Sequence, residues 1–259
     1  MIPRMVGILL RRDRGAVLFG LAVAVALAWT YLLLGAGTDM ETMDMGGGQT
    51  MMMPPIWTPG YVGLVFLMWA IMMVAMMLPS AAPTILLVDA LSRQRSGSAP
   101  ASAVFFGLGY LLVWFAFSLG ATALEWGLDE ASLLSETMAL GSMLLAGSIL
   151  VAAGIYQWTP LKDTCLRHCR SPVSFLVQNW REGALGAIWT GVRHGSFCLG
   201  CCWMLMALLF VSGIMNLVWI GAIALLVLIE KVVPWGGRMS RFAGIVLAGW
   251  GVATLVMAI

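Results

Sequence analysis

Long apolar stretches separated by short segments rich in charge, glycine or proline dominate the chain. The seven stretches lie at residues 16–36, 61–78, 101–124, 138–157, 195–214, 217–233 and 242–258. Most approach the roughly 20 residues that a helix needs to cross a bilayer. Because a bilayer core offers no hydrogen bonds to the backbone, helices are the expected spanning elements. The pattern predicts an all-α fold, a polytopic transmembrane bundle of about seven spans, with residues 1–259 as one integral membrane domain.

Composition and charge support a membrane protein. Hydrophobic residues make up 61% of the 259 residues and charged residues only 10%, whereas about a quarter of a soluble domain is charged. The net charge of +2 indicates no nucleic-acid partner. All 14 Lys and Arg residues fall on one side of the predicted spans, beginning with a cluster at residues 4–14. The positive-inside rule therefore predicts a cytoplasmic amino terminus and an external carboxy terminus.

The segment 191–206 concentrates side chains that bind metals. His194, Cys198 and Cys202 follow at intervals of four residues and share one helix face, with Cys201 beside them. Imidazole and thiolate bind zinc, copper and iron, and nearby thioether sulfur favours copper(I). We predict these four residues as primary metal ligands. The alternative is that the cysteines are small buried hydrophobic side chains that pack between helices.

Methionine is unusually frequent, with 20 copies in the chain. Six of them occupy the polar segment 37–60, beside acidic residues and glycines. Because an exposed loop has no packing need for methionine, we predict a Met-rich external loop that captures copper where thiols would oxidise. The alternative is an interfacial loop without a metal function. The six are Met40, Met43, Met45, Met51, Met52 and Met53.

The second apolar run carries five further methionines in two neighbouring rows of a helix, Met68, Met72 and Met76 in one row and Met73 and Met77 in the other. The predicted ligands among them are Met72, Met73, Met76 and Met77. Their thioethers could form a sulfur shell around the cysteine cluster, although packing in the core explains such a stripe equally well. Pro79 and Pro83 are expected to end or kink this helix.

The segment 159–194 is predicted to be a cytoplasmic loop with an interfacial helix. It contains a second group, Cys165, His168 and Cys169, whose spacing suits one helical face and a secondary metal site. Ser171 followed by a proline is typical of a helix start, and the apolar residues after it favour a helix on the membrane surface.

The length of a segment, its glycines and its charges predict two further boundaries between spans and loops. Residues 183–215 are too long for one straight span, so Gly191 and Gly195 are expected to mark a bend before a span at 195–214. The acidic segment 125–136, which lacks Lys and Arg, is expected to be an external loop.

Two ionisable residues, Glu230 and Lys231, lie near the end of the sixth apolar run. Intramembrane ionisable residues often mark function. Alternatively, Lys231 extends to the membrane surface and Glu230 pairs with it.

Three sequence blocks resemble the bacterial predicted metal-binding integral membrane proteins, a domain of unknown function. The blocks are WAIMMVAMMLPSAAP at 69–83, CLRHCRSP at 165–172 and GxxHGxxCxGCCW at 191–203. The resemblance extends from the second apolar run to the end of the chain. It implies a polytopic protein of the bacterial inner membrane with a metal site and a link to copper handling.

Together, these features favour a membrane protein that binds Cu(I) and transports it or delivers it to a metallochaperone or a copper enzyme. Since no nucleotide-binding motif is present, any transport is expected to be passive, gradient-coupled or driven by a partner. The features favour a binding protein over an enzyme. One alternative is a membrane thiol–disulfide oxidoreductase that uses Cys198 and Cys201. Another is a haem- or quinone-associated subunit with His168 and His194 as axial ligands.

Overall fold

A computed structural model describes residues 15–35, 42–44, 50–52, 57–96, 99–135 and 138–258, with the backbone alone at 42–44, 50–52, 94–96 and 99–100. The described part contains ten helices and one pair of short strands. The helices are α1 (Gly15–Leu33), α2 (Pro59–Ser96), α3 (Ala99–Glu130), α4 (Met143–Tyr156), α5 (Pro160–Arg170), α6 (Pro172–Asn179), α7 (Gly183–Ala207), α8 (Leu209–Ser212), α9 (Leu217–Val232) and α10 (Gly236–Met257). The strands are β1 (Thr42–Asp44) and β2 (Thr50–Met52), which pair antiparallel.

Several of these helices are long and apolar enough to cross a membrane, as the apolar pattern predicted. In the described residues five qualify, and six do if the pair Met143–Tyr156 and Pro160–Arg170, bent by 62°, is one broken span. With 16 residues, α9 is shorter than each of the five helices that qualify. The count of seven spans stays a prediction, and the basic cluster at residues 4–14, on which the orientation partly rests, lies outside the described residues.

Helix α2 continues through both of its prolines, so of the two outcomes expected for them, an end of the helix is wrong and a kink stays a prediction. It runs for 38 residues, with Pro79 and Pro83 in its interior. A proline removes one backbone hydrogen bond and crowds the preceding turn. Packing of α2 against α1, α3 and α9 maintains the helix, because tertiary burial contributes more to helix stability than local propensity does.

Helix α7 is also continuous, and the predicted bend at Gly191 and Gly195 is wrong. These glycines instead lie where α7 meets α3. A Cβ atom added to Gly191 would lie 2.1 Å from the Phe106 carbonyl oxygen, and one added to Gly109 would lie 2.1 Å from that of Ile188. Small residues spaced four apart allow helix backbones to approach closely in membranes. The glycines therefore fix α7 tightly against α3.

The predicted external loop at 125–136 begins later than expected, because α3 continues to Glu130. The indole Nε1 of Trp69 donates to Glu125 Oε2 at 2.6 Å, and that of Trp57 donates to Asp129 Oδ2 at 2.6 Å. Glu125 is only 1% exposed. Its bond to Trp69 satisfies a buried carboxylate and joins the first half of α2 to the last turns of α3.

The segment predicted as a loop with an interfacial helix contains two helices, α5 and α6, before α7 begins. Helix α6 starts at Pro172, as predicted, although Ser171 forms no side-chain cap. Phe175 and Leu176 are buried in the protein, whereas Val177 is exposed. Helix α6 thus packs one apolar face into the bundle. An interfacial position for its exposed face stays a prediction.

Gly191→Ala should lower the midpoint of thermal unfolding in detergent, since the added methyl group overlaps the Phe106 carbonyl. Overpacking of this kind typically costs about 1–3 kcal/mol. Gly107→Ala is the matched control, because a Cβ there meets nothing within 4 Å. Equal midpoints for the two variants would contradict the close contact between α3 and α7.

Candidate metal centre

The cysteine row of α7 lies in the interior, facing α3 and α2. Cys198, Cys201 and Cys202 are each at most 1% exposed, and His194 is 3% exposed. The glycines of α7 bring its backbone against α3, and the residues that follow them by one or two turns therefore face the centre of the bundle. The structure thus brings all four predicted primary ligands into one buried region.

Cys198 has a polar environment that the other two cysteines lack. The ammonium of Lys231 donates to Cys198 Sγ at 2.8 Å, and the hydroxyl of Tyr110 lies 3.0 Å from the same sulfur. Lys231 also donates to the hydroxyl of Ser80 at 3.0 Å. The Tyr110 hydroxyl and the Ser80 hydroxyl both donate to the carbonyl of Met77. A network of hydrogen bonds therefore connects α2, α3, α7 and α9 through this one thiol.

The thiols of Cys201 and Cys202 donate to the Cys198 carbonyl at 3.0 and 2.9 Å. Cys202 Sγ also lies 4.0 Å from the thioether sulfur of Met77 on α2. As the thiols stand, the described residues contain no group of three or more His, Cys, Asp or Glu side chains that could hold a metal ion. Metal binding by the cysteines therefore requires their weak S–H bonds to the backbone to be exchanged for metal bonds.

Of the predicted thioether shell, Met77 is placed directly beside a cysteine. Met72, Met73 and Met76 are at most 1% exposed and belong to the same buried core. At these positions a methionine can therefore pack in the core and also belong to a sulfur shell. For Met77, the distance of 4.0 Å to Cys202 adds a specific contact to burial.

The second cysteine group joins the first. Helix α5 packs against α7, and a Cβ added to Gly200 would lie 2.8 Å from Cys165 Sγ. The thiol of Cys169 interacts electrostatically with that of Cys201. All the cysteines of the chain are free and buried. They form a single thiol cluster rather than two separated sites.

His168 does not join this cluster. Its Nδ1 atom is 2.8 Å from the Thr164 carbonyl oxygen, and its ring stacks on Phe197 with centroids 4.2 Å apart. His168 therefore contacts α7 through Phe197 rather than through a cysteine, because adjacent helix residues such as His168 and Cys169 point in different directions.

His194 is held by aromatic side chains. The rings of Phe175, Phe106 and Tyr110 have centroids 5.2, 5.7 and 5.9 Å from that of the imidazole. Its Nδ1 atom has no hydrogen-bond partner among the described residues. Buried polar atoms are usually paired. An imidazole nitrogen without a partner, one helical turn from Cys198, has the chemistry of a metal ligand.

Glu230 and Lys231 do not pair with each other, so the alternative in which Glu230 binds Lys231 at the membrane surface is wrong. Glu230 instead binds Lys162 at 2.8 Å, and both side chains are 1% exposed. Lys162 also donates to Gln157 Oε1, which accepts from Ser240 at 3.3 Å as well. Adjacent residues of a helix point in different directions, so Lys231 faces the thiols while Glu230 faces α5.

Lys162, Tyr110 and Ser80 carry no strong functional signal in the sequence. Lys162 is one charge of a basic segment, Tyr110 lies within an apolar run, and Ser80 lies within the block at 69–83. The SAAP sequence after the methionines is the one signal that could have indicated Ser80, because a hydroxyl within a buried helix needs a partner.

The described backbone includes part of the Met-rich segment. Met40, Met45 and Met53 lie outside the described residues. Met43 pairs with Met51 across β1 and β2, with Met52 beside it, and only the backbone is described there. Copper capture by this loop stays a prediction.

A family model described as PpoB2, copper chaperone, matches residues 66–254. The match covers most of the chain and includes α2, the thiol cluster and Lys231. It agrees with the link to copper expected from the sequence blocks. No curated protein and no solved structure matches the chain.

Lys162→Met should destabilise the protein by about 3–5 kcal/mol, because it leaves the buried carboxylate of Glu230 without its cation. The double variant Lys162→Met, Glu230→Leu should recover most of this loss, since replacing both partners of a buried ion pair is often nearly neutral. Thermal unfolding of the purified variants in detergent compares them. Equal loss in the single and double variants would contradict an ion pair at this position.

Proposed function

The chain belongs to the PpoB2 copper chaperone family, and we propose that it binds Cu(I) between α2 and α7 within a membrane and delivers it to a partner protein. In this proposal Cys202 and Met77 are central ligands, with Cys201, Cys198 and His194 around them. Met72, Met73 and Met76 complete a soft environment of thioether sulfur. Thiolate and thioether are the ligand types that favour Cu(I).

The observation that carries the proposal is the contact between Cys202 Sγ and Met77 Sδ, 4.0 Å apart and on different helices. Two sulfur ligands on opposite sides of one ion, each at about 2.3 Å, lie about 4.6 Å apart. The two sulfurs are therefore close to the separation at which one ion bridges them. Only small side-chain rotations would be needed.

Binding replaces weak interactions with strong ones. Cys201 and Cys202 donate to the Cys198 carbonyl, and a thiol that becomes a metal ligand gives up this bond and releases its proton. The unpaired Nδ1 of His194 gains a partner if the imidazole binds. Each step satisfies an atom that is otherwise weakly bonded or unpaired.

The route through the protein follows the order of sulfur ligands along the helices. We infer that the Met-rich segment, Met40–Met53, captures copper outside a bacterial inner membrane, with the amino terminus in the cytoplasm. Copper then passes along the methionines of α2 to the thiols of α7. Cys165 and Cys169 on α5 extend the thiols towards the end of the bundle that carries Arg170 and Arg238. A metallochaperone or a copper enzyme is the partner that this chemistry suits.

Burial counts against the redox alternative. A Cys198–Cys201 couple must be reached by the thiol or disulfide that it oxidises or reduces, and both residues are 1% exposed. The haem alternative stays a prediction, because the bond from His168 Nδ1 to a carbonyl leaves the Nε2 atom of this ring as the ligand atom.

Removal of either central sulfur should weaken Cu(I) binding at least tenfold, because the ion loses one of its ligands. A tenfold loss of affinity corresponds to about 1.4 kcal/mol of binding free energy. The variants are Cys202→Ser and Met77→Leu, measured in detergent under anaerobic reducing conditions by competition with a Cu(I) chelator. Met143→Leu is the control for the thioether, because Met143 is 58% exposed at the start of α4.

Unchanged affinity in both variants would place copper elsewhere. Wild-type protein that binds no copper and forms a reversible Cys198–Cys201 disulfide would favour the oxidoreductase over the chaperone.

A further inference from the structure

The ligand set of the thiol cluster raises a question of selectivity. Three cysteines and one histidine, as in Cys198, Cys201, Cys202 and His194, are also a common ligand set for structural zinc. Zn²⁺ and Cu(I) have the same closed d¹⁰ shell and differ by one unit of charge. These four side chains alone therefore do not separate the two ions well, and within the proposed site only the thioethers such as Met77 favour Cu(I). A copper chaperone with this cluster needs another feature that disfavours zinc.

A buried lysine is the feature that distinguishes this cluster from a zinc site. Lys231 is 8% exposed, and its ammonium contacts Cys198 Sγ at 2.8 Å and Ser80 Oγ at 3.0 Å. A short contact of this kind is typical of a charge-assisted hydrogen bond. Histidine ligands of zinc usually donate their second N–H to a carboxylate or carbonyl, whereas a thiolate only accepts hydrogen bonds, and Cys198 is placed to accept one from a cation.

No carboxylate of the described residues neutralises this ammonium. The adjacent Glu230 forms its ion pair with Lys162, and the other ion pairs among the described residues join Arg93 to Asp89 and Arg167 to Asp163. The positive charge of Lys231 is therefore directed at the sulfur cluster, with Cys198 as its immediate partner. Because Lys231 is buried, little water screens its charge, and its electrostatic interaction with nearby ions is stronger than at the surface.

The energy of repulsion between a fixed charge and a metal ion is proportional to the charge of the ion. At the same position among the thiols, Zn²⁺ is repelled twice as strongly as Cu(I). The charge of Lys231 therefore weakens zinc binding more than copper binding.

We propose that Lys231 is a specificity-determining residue, whose buried positive charge lets the thiol cluster hold monovalent Cu(I) while disfavouring divalent Zn²⁺. The inference rests on the proposed function and adds to it the basis of metal selection. Lys231 contacts a ligand rather than the metal, and acts through its charge.

The test compares affinities for the two isoelectronic ions in wild type and Lys231→Met. Full-length protein in detergent, reduced and anaerobic, is titrated against a Cu(I) chelator and separately against a Zn²⁺ chelator. Lys231→Met should raise the ratio of zinc affinity to copper affinity at least tenfold. Lys231→Arg, which keeps the charge, should retain a ratio near that of wild type.

A second control separates charge from local packing. Ser80→Ala removes the other hydrogen-bond partner of Lys231 but no charge, so its ratio should stay within about threefold of wild type. Gel filtration and titration of free thiols check the fold of each variant. If Lys231→Met does not fold, Lys231→Gln replaces it, and the wild-type preference for Cu(I) over Zn²⁺ is the second measurement.

The outcomes separate the two proposals. Wild-type protein that binds no Cu(I) overturns the proposed function. Cu(I) binding with an unchanged ratio in a folded Lys231 variant overturns only the role of Lys231, as does wild-type protein that holds Zn²⁺ as tightly as Cu(I).

Discussion

The backbone contact between α3 and α7 fixes the geometry on which the thiol cluster depends. At Gly109 and Gly191 an added Cβ would lie 2.1 Å from a carbonyl oxygen of the other helix, so no side chain separates the two helices there. Tyr110, the residue after Gly109, reaches Cys198 and the Met77 carbonyl together. A wider spacing of these helices would remove the contact that joins α3 to the cysteines and to α2. Small residues thus determine the position of the reactive ones.

The positive charges of two buried lysines are stabilised by different partners. Lys162 has a carboxylate, Glu230, and amide oxygen from Gln157. Lys231 has a sulfur and a hydroxyl. A buried charge is tolerated when it is paired and hydrogen-bonded. Since Lys162 uses Glu230, the adjacent Lys231 keeps its charge for the thiols. The structural ion pair therefore makes the second lysine available to the cluster.

The features that spacing along one helix determines were predictable from the sequence. His194, Cys198 and Cys202 share a buried face because four residues complete about one helical turn. The long apolar helices follow in the same way from local composition. Contacts between distant segments were not predictable. Gly191 has the same sequence signal whether it bends a helix or packs against another one, and only the position of Phe106 decides between them. The partners of Glu230 and Lys231 likewise depend on how α5 and α7 pack around α9.

A copper chaperone must bind its metal firmly and still release it. In the proposed site, release leaves no thiol without a partner, because Cys201 and Cys202 can both return to the Cys198 carbonyl. Cys198 itself has Lys231 and Tyr110. These hydrogen bonds compete with the metal for each thiol and reduce the free energy lost when copper leaves. The same network that positions the sulfurs therefore also limits how tightly they hold their cargo.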